Sequence, residues 1–431
     1  MTILNTHAVS AVAVFFLLLG LFSLVPVQAS TVDELQNKIA AKNNDILNLE
    51  KEIAAFQAQL DTLGKQKQSL QNAVQTLDVA RKKMATDIAV TENKIEATDF
   101  HLSQLALEIT DKETRILKSE QAVSSALRTL AIMETDSPVE LILRGGDLGE
   151  AWNHVQELTK FEDSLREHIK SLMSLKVDLE DKKGATEAEL KKLVGLKNEL
   201  AAQKKALDAN RQETSTLLAT TKNKESNYQK LLAEKTAQHK QFEQELLSYE
   251  SELKLAIDPA SLPKTGSGVL SWPLDAVFIT QYFGNTDFST KNPQIYNGKG
   301  HNAIDLRASP GTRIKAAASG IIEGTGDTDL ACPNASYGRW ILIRHNNGLS
   351  TLYAHLSVIA VTEGQSVAVG QVIGYSGSTG YATGPHLHFT VYATQGVKIA
   401  KLPSRALACK GRVYTLPLAD LKAYLNPLSY L

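Results

Sequence analysis

The sequence predicts an α+β multidomain chain, in which a long antiparallel α-helical coiled-coil hairpin (residues 30–256) precedes an antiparallel β-sheet domain (residues 270–431). Three observations predict this class. Apolar residues recur every three or four positions through most of the first half of the chain. Helix breakers interrupt that pattern near its middle, at 136–150. Beyond residue 270, short β-branched runs alternate with glycine-containing turns, which is typical of antiparallel strands.

Residues 1–29 form an apolar leader. The stretch 8–27 is followed by the small-residue cleavage signature Val27-Gln28-Ala29, so a secretory signal peptide is favoured. An uncleaved membrane anchor is the alternative, because about twenty apolar residues also span a bilayer and the leader has no Lys or Arg before its apolar stretch. Either outcome places the rest of the chain outside the cytoplasmic membrane, in the periplasm, the cell envelope or the extracellular space.

Two helical runs of nearly equal length, 31–135 and 150–255, are predicted next. The second run carries leucine at heptad spacing, as at Leu165, Leu172 and Leu179, with lysines such as Lys176 beside the seam, which indicates a polar, movable interface. Equal arms around one break favour an antiparallel hairpin with its tip near 136–150. Two separate helices in a parallel dimer are the alternative, since heptads alone do not fix orientation.

The segment 257–269 has the Pro, Gly and Ser content of a linker, which would let the following domain swing. Strands are expected after it at 277–280, 340–344, 349–356, 367–374 and 387–392.

Two short histidine motifs suggest a metal site in the predicted β domain. They are His301-Asn-Ala-Ile-Asp305 and His386-Leu-His388-Phe389. Residues i and i+2 of a strand point to the same face, so His386 and His388 can both reach one groove. Two imidazoles, one carboxylate and an open fourth position are typical of catalytic zinc, because structural zinc has four protein ligands.

The β domain resembles the LytM-type (M23, lysostaphin-like) zinc endopeptidases of bacterial cell walls over about residues 268–431. The motifs that carry the resemblance are Trp272-Pro-Leu, Phe283-Gly284, His301-x-x-x-Asp305, Tyr353-Ala-His355-Leu356 and Gly384-Pro-His386-Leu-His388-Phe389. The resemblance implies that His301, Asp305 and His388 bind one Zn²⁺ ion per domain. It also implies that His355 and His386 are catalytic and flank the attacking water, although acid and base are not divided between them.

Two positions depart from the family pattern. Ala303 stands where the family usually has glycine, and Thr390 stands where a glutamate commonly follows the His-Leu-His-Phe motif. Neither position is a ligand, so these departures bear on rate or substrate more than on activity.

The resulting functional hypothesis is a secreted or membrane-anchored zinc metalloendopeptidase that hydrolyses peptidoglycan peptide cross-bridges in cell-wall remodelling or cell division. The alternative is a non-enzymatic amidase activator or scaffold that docks on a membrane partner through its coiled coil, because some relatives have lost the metal ligands. The architecture is similar to that of division-associated wall hydrolases and activators that bind an FtsEX-type transporter. The hairpin is also expected to restrain the catalytic groove until a partner binds.

Charge gives no support for a nucleic-acid role, since 46 basic residues balance 47 acidic ones. Cys332 and Cys409 lack metal or redox spacing, and in an oxidising compartment a disulfide is favoured over two free thiols. His345 ends an apolar strand before an Asn-Gly turn, which favours a structural role over catalysis. Tyr296 is a candidate for oxyanion stabilisation, with a packing or surface role as the favoured alternative.

Overall fold

The computed structural model describes residues 32–66, 68–133, 148–253, 257–284, 300–382, 384–404 and 409–431. The predicted leader and most of the predicted helical tip therefore lie outside the described residues. Of the helices that are described, none is long and apolar enough to cross a membrane.

The described part of the N-terminal region contains four long helices, where the sequence predicts two runs. They are α1 (Val32–Leu63), α2 (Leu70–Met133), α3 (Leu148–Thr221) and α4 (Glu225–Glu252). Two of the breaks, at 64–69 and 222–224, were not expected. Gly64 follows α1, and glycine is favoured at helix ends because it lacks a Cβ. After α3, Lys222 and Asn223 adopt positive φ angles of 49° and 54°. These local end signals outweigh the apolar pattern that continues across both breaks.

The chain divides into two compact units, which are described separately. One contains residues 1–39 and 103–176, and the other contains residues 40–102 and 177–431. Within the second unit, Glu92 of α2 pairs with Lys204 of α3 at 3.0 Å, and His101 lies 3.4 Å from Glu189. Because the residue number rises in α2 as it falls in α3, these helices run antiparallel there, as the hairpin prediction requires. Coiled-coil packing itself remains a prediction.

The described part of the C-terminal region contains twelve strands, and every pairing between them is antiparallel, which confirms the predicted class of this domain. They are β1 (Ile279–Gln281), β2 (Ile304–Arg307), β3 (Arg313–Lys315), β4 (Gly320–Asp327), β5 (Arg339–His345), β6 (Leu349–Ile359), β7 (Ser366–Val367), β8 (Val372–Ser376), β9 (His386–Ala393), β10 (Val397–Pro403), β11 (Val413–Ala419) and β12 (Tyr424–Leu425).

The main sheet has the order β1-β2-β9-β6-β5-β4-β7, with β8 pairing β3 and β6, and β12 pairing β9. Strands β10 and β11 form a separate ribbon. The strand predicted at 367–374 is two strands, β7 and β8, because a turn with Gly370 at φ 77° separates them.

Alternation along two central strands places the polar motif residues on one face of the sheet. On β9, Leu387, Phe389 and Val391 are fully buried in the core, while His386 and His388 lie on the other face. The neighbouring β2 follows the same rule, with Ile304 and Leu306 completely buried and Asp305 and Arg307 on the other side. Burying the apolar residues therefore fixes which side chains share the polar face.

Helix α4 packs on the β10–β11 ribbon within the second unit. Leu246 belongs to a buried cluster with Trp340 and Leu416. The Tyr249 hydroxyl donates a 2.7 Å hydrogen bond to the carbonyl oxygen of Pro403. The end of the helical region is thus attached to the sheet domain by both apolar and polar contacts.

The segment predicted as a free linker is also packed against the sheet domain. Ile257 contacts the same buried cluster as α4. Ile257 also packs closely on Gly396, where an added methyl group would lie 3.0 Å from the Ile257 Cδ1 atom. Farther along, the Gly266 amide donates to the Ser429 carbonyl at 2.9 Å. The expected freedom to swing is therefore absent in this conformation, because apolar residues within the segment find partners on the sheet.

Candidate functional site

Strand pairing brings the two predicted histidine motifs together. In the antiparallel register of β2 and β9, Asp305 lies opposite His388. His301 is placed just before β2 by a two-way backbone bridge with Gly284, with N···O distances of 2.7 and 2.8 Å. His355 lies on β6, the other neighbour of β9, where Ala354 is the partner of His388. Four of the five predicted site residues thus lie on adjacent strands of one sheet, and His301 lies just before one of these strands.

His301, Asp305 and His388 form a cluster that can hold one metal ion. Their ligand atoms all lie within 4.8 Å of one another. Asp305 Oδ1 is 3.5 Å from His301 Nε2 and 3.0 Å from His388 Nδ1. Ligand–ligand separations of about 3.3 Å are expected around a tetrahedral zinc ion with bonds of about 2.0 Å. The cluster therefore fits the predicted ligand set in residue type and in spacing.

Hydrogen bonds outside this cluster orient the ligand imidazoles. His301 Nδ1 lies 3.2 Å from the Tyr282 carbonyl oxygen, which can only accept, so Nδ1 carries the proton and Nε2 presents a lone pair. His388 Nε2 lies 3.2 Å from Thr390 Oγ1, which leaves Nδ1 facing Asp305. Such outer partners fix the tautomer and ring orientation of metal-binding histidines. Thr390 thus occupies the supporting position in place of the glutamate expected from the family pattern.

His355 and His386 are held with their Nε2 atoms available. His355 Nδ1 donates to the Thr379 carbonyl at 2.9 Å, and His386 Nδ1 donates to the Gly384 carbonyl at 2.8 Å. The two ring centroids are 4.7 Å apart, and His386 Nε2 is 3.7 Å from Asp305 Oδ1. Both histidines therefore offer a basic nitrogen beside the ligand cluster.

His355 has an unusual backbone conformation. Its φ angle is 63°, in the left-handed region that non-glycine residues rarely occupy, and its amide donates to the Tyr337 carbonyl at 2.9 Å. Strained backbone of this kind concentrates at functional sites, where surrounding contacts enforce it. The side chain is 5% exposed, so its direction is fixed by packing as well.

Burial and mutual electrostatics set the charges of the site. Burial lowers the pKa of His301 to about 4, against the opposing effect of the Asp305 carboxylate. The pKa of His355 is well below its ordinary value, because the ring is buried and lies near His386 and His388. For Asp305, burial alone would raise the pKa, but the imidazoles of three histidines hold it far below the ordinary value. At neutral pH Asp305 is therefore a carboxylate and His301 and His355 are neutral imidazoles, and metal binding requires a deprotonated carboxylate and neutral histidines.

Other predicted residues are not part of this cluster. His345 is buried on β5, where Nδ1 donates to the Ser319 carbonyl at 3.1 Å and Nε2 lies 2.8 Å from Thr351 Oγ1. Two satisfied nitrogens agree with the structural role predicted for it. Ala303 is completely buried. Tyr296 lies outside the described residues.

Tyr337 is a site residue that the sequence did not identify. Its ring centroid is 5.7 Å from that of His388, and its carbonyl anchors the His355 amide. Tyr337 lies at the end of a loop that contains Cys332. The predicted disulfide between Cys332 and Cys409 joins this loop to the 409–412 turn. In the sequence, Cys332 was the one indication that this loop is held in a fixed position near the groove.

Helices of the same compact unit face the site across a cavity of about 630 Å³. The polar face of the sheet contributes all five predicted site residues to its lining. The opposite wall consists of residues of the helices and of the connection between α1 and α2, among them Leu63, Gln68, Asn72, Glu213, Tyr228 and Lys235. The site is therefore partly enclosed between the sheet and the helices.

Contacts beside the cavity hold the helices on the sheet domain. Met84 of α2 packs so closely on Gly311 that an added methyl group there would lie 2.2 Å from the Met84 sulfur. Arg313 of β3 pairs with Glu199 of α3 at 3.3 Å. A buried apolar cluster joins residues of α1, α2 and α3 to two residues of the sheet domain; its members are Leu60, Leu63, Val79, Ala80, Met84, Ala202, Ala206, Val358 and Tyr375.

A His-Asp-His cluster on an antiparallel sheet, with two further histidines beside it, defines a metallopeptidase type of site. Residues 299–400 match the sequence profile of peptidase family M23. The chain therefore carries an M23 peptidase domain, preceded by a region of long helices.

Three similar proteins each match about a quarter of this chain. The DD-carboxypeptidase/endopeptidase Mpg of Neisseria meningitidis is 44% identical over 98 residues, which are 23% of this chain and 21% of that protein. The glycyl-glycine endopeptidase ALE-1 of Staphylococcus capitis is 42% identical over 98 residues, 22% of this chain and 26% of that protein. The catalytic domain of lysostaphin from Staphylococcus simulans is 34% identical, with 27% of this chain and 81% of that one covered and a TM-score of 0.24. The chain thus spans between a fifth and about a quarter of these two curated relatives.

Proposed function

We propose that this chain is a zinc metalloendopeptidase that hydrolyses peptide cross-bridges of peptidoglycan outside the cytoplasmic membrane, in wall remodelling or division. The observation that carries the proposal is the cluster of His301, Asp305 and His388 beside two histidines whose Nε2 atoms are available. Both curated relatives named above are called endopeptidases, and the name of a third, the peptidoglycan DD-endopeptidase ShyA of Vibrio cholerae, supplies the substrate class.

Three residues of the site would bind the metal, and two would transfer protons. His301 Nε2, Asp305 Oδ1 and His388 Nδ1 would hold the ion, which when bound polarises a carbonyl and lowers the pKa of water towards about 7. His355 and His386 would move a proton from the attacking water to the departing amine through their Nε2 atoms. The carbonyls of Thr379 and Gly384 keep these imidazoles oriented for that transfer.

Metal content and wall hydrolysis measured on the same preparations test the proposal. His388→Ala should lose both the metal and cleavage of purified sacculi. His355→Ala should keep the metal and lose cleavage, because it removes only a proton carrier. His168→Ala, at an exposed histidine of α3, is the matched control and should change neither. Loss of metal in the His355 variant would contradict the division of roles.

The enclosed cavity supports a second part of the proposal, in which the helices restrain the enzyme. The α1–α2 connection and parts of α3 and α4 form the opposite wall of the cavity, and this wall would narrow the access of a peptide cross-bridge to the ligand cluster. A membrane partner of the FtsEX type, bound to the helices, would then open the groove. An activity equal to that of the wild type in a chain whose helix–sheet contacts are weakened would count against restraint.

The same enclosure also favours the competing function, a non-enzymatic amidase activator. In that case the metal cluster would serve folding or partner binding. Stoichiometric zinc without cleavage of sacculi, both in the wild type and in chains with weakened helix contacts, would favour the activator. Cleavage by either chain, lost in His355→Ala, would favour the peptidase.

A further inference from the structure

A basic side chain lies on the same face of the sheet as the candidate metal site. Arg307 is two residues after Asp305 on β2, and its direct partner on β9 is His386. Directly opposed residues of antiparallel strands have Cβ atoms about 5 Å apart. Arg307 therefore stands next to one of the proposed proton carriers, and it lines the same cavity.

The environment of Arg307 holds the guanidinium without neutralising it. Its Cζ atom lies 3.8 Å from the centroid of the Phe278 ring, and Phe278 is half exposed. Among the residues that the structure describes, no carboxylate forms an ion pair with it. Other basic residues of the domain do have such partners, for example Arg339, which lies 3.0 Å from Asp327.

An arginine stacked on an aromatic ring keeps its edge free for planar, bidentate recognition of a carboxylate. Holding a cation in a partly buried cavity without an anion is unfavourable. The stacking on Phe278 and the absence of an ion-pair partner among the described residues are both accounted for if an anionic group of the substrate completes the site.

We propose that Arg307 is a specificity-determining residue that binds a carboxylate of the substrate peptide close to the scissile bond. This rests on the proposed function and defines the substrate class, namely cross-linked peptides that carry a free carboxylate near the cleaved amide. Two sources have this chemistry: the C-terminal carboxylate of a stem peptide, and the side carboxylate of a diamino dicarboxylic acid residue within it.

The end of α1 covers this position in the present conformation. A methyl group added at Gly64 would lie 3.2 Å from both Cδ and Nε of Arg307. The C-terminal end of a helix carries partial negative charge, and the last turn of α1 contains no basic residue. The helix end thus occupies the region of the proposed carboxylate, so substrate binding and helix docking would exclude each other.

The test compares cleavage of defined cross-linked peptides by the full zinc-loaded chain. One peptide has both carboxylates free, a second has its C-terminal carboxylate amidated, and a third has its side carboxylate amidated. The wild type should prefer the free peptide over one of the amides by about 10- to 100-fold in kcat/KM, as expected for a lost charged hydrogen bond. The amide that loses rate identifies the source.

Arg307→Gln should remove this preference, lowering kcat/KM for the free peptide while the discriminating amide changes by less than about 3-fold. Arg307→Lys should restore part of the preference, because it keeps the charge but loses the planar fork. Arg344→Gln is the matched control, since Arg344 is an exposed arginine on β5, and it should keep the full preference.

Three results would overturn the assignment. They are a wild type that does not distinguish free from amidated peptides, an Arg307→Gln chain that loses rate equally on all three, and one that gains rate equally on all three. The last result would assign Arg307 to helix docking. If neither the wild type nor a chain with weakened helix contacts cleaves any of the peptides, the proposed function fails. The role of Arg307 is then tested by equilibrium binding of the same peptides to the wild type and to Arg307→Gln, where the same preference for the free carboxylate is expected in the wild type alone.

Discussion

Truncation of Met84 tests whether the helices restrain the site. Met84 is 4% exposed, and its sulfur packs on Gly311 of the sheet domain. Shortening a buried methionine to alanine costs about 2 to 5 kcal/mol in a rigid core. We take about 2 kcal/mol, the lower end of that range, because the contact joins two parts of a unit that are proposed to separate. If the closed form loses that much stability, the open fraction rises about 30-fold while it remains small.

The assay is hydrolysis of purified sacculi by zinc-loaded Met84→Ala and wild-type chains at equal concentration, with helix content and metal content measured on the same samples. Met173→Ala is the control, since Met173 is a methionine of α3 that is 64% exposed. We expect a rise of up to about 30-fold for Met84→Ala and none for Met173→Ala. A folded, zinc-loaded Met84→Ala chain with unchanged activity would refute the restraint.

Three further predictions concern the support of the site and of the fold. Thr390→Val should weaken zinc binding about 10-fold or more, because it removes the hydroxyl that lies 3.2 Å from His388 Nε2. Thr390→Ser keeps a hydroxyl and should retain the zinc affinity. Equal zinc affinity of the wild type and the valine variant, measured by competition with a chelator, would contradict this. Replacing Cys332 and Cys409 with serine should lower the free energy of unfolding by up to about 4 kcal/mol, since the disulfide joins residues 77 apart in the sequence. The same replacement should abolish the dependence of that free energy on reductant. A wild type whose free energy of unfolding is the same with and without reductant would count against the prediction. Burial lowers the pKa of His345, so below the ordinary histidine pKa the unfolded state binds a proton that the folded state does not bind. The free energy of unfolding should therefore fall as the pH drops from 7 through the ordinary histidine pKa towards the lowered pKa. The acid-induced loss in denaturant titrations should be smaller in His345→Gln, and an equal loss in both chains would be the contrary result.

The strand pair that forms the site was within reach of sequence reasoning because its signals are local. In the His386-Leu-His388-Phe389 motif, alternation alone places both histidines on one face and Phe389 in the core, where it is completely buried. The distant His355 could be assigned only from a resemblance, since nothing local indicates that β6 lies beside β9.

Contacts that depend on register or on non-local packing were not predictable. The position of Arg307 beside the site depends on the register of β2 and β9, which places it opposite His386. Met84 has the spacing of an ordinary seam residue, and nothing in its neighbourhood of the sequence indicates that it contacts Gly311. The break after α1 had a signal in Gly64, but a continuing apolar pattern masked it, and the enclosure of the site by helices depends on that break.

In the proposed function, His301, Asp305 and His388 together hold one metal ion beside two proton-carrying histidines. Metal content of the full chain after dialysis against zinc at neutral pH, measured by inductively coupled plasma mass spectrometry, tests it most directly when His388→Ala and His168→Ala are run in parallel. We expect one zinc per chain in the wild type and in His168→Ala and none in His388→Ala. Equal zinc in all three chains, or none in the wild type, would contradict it.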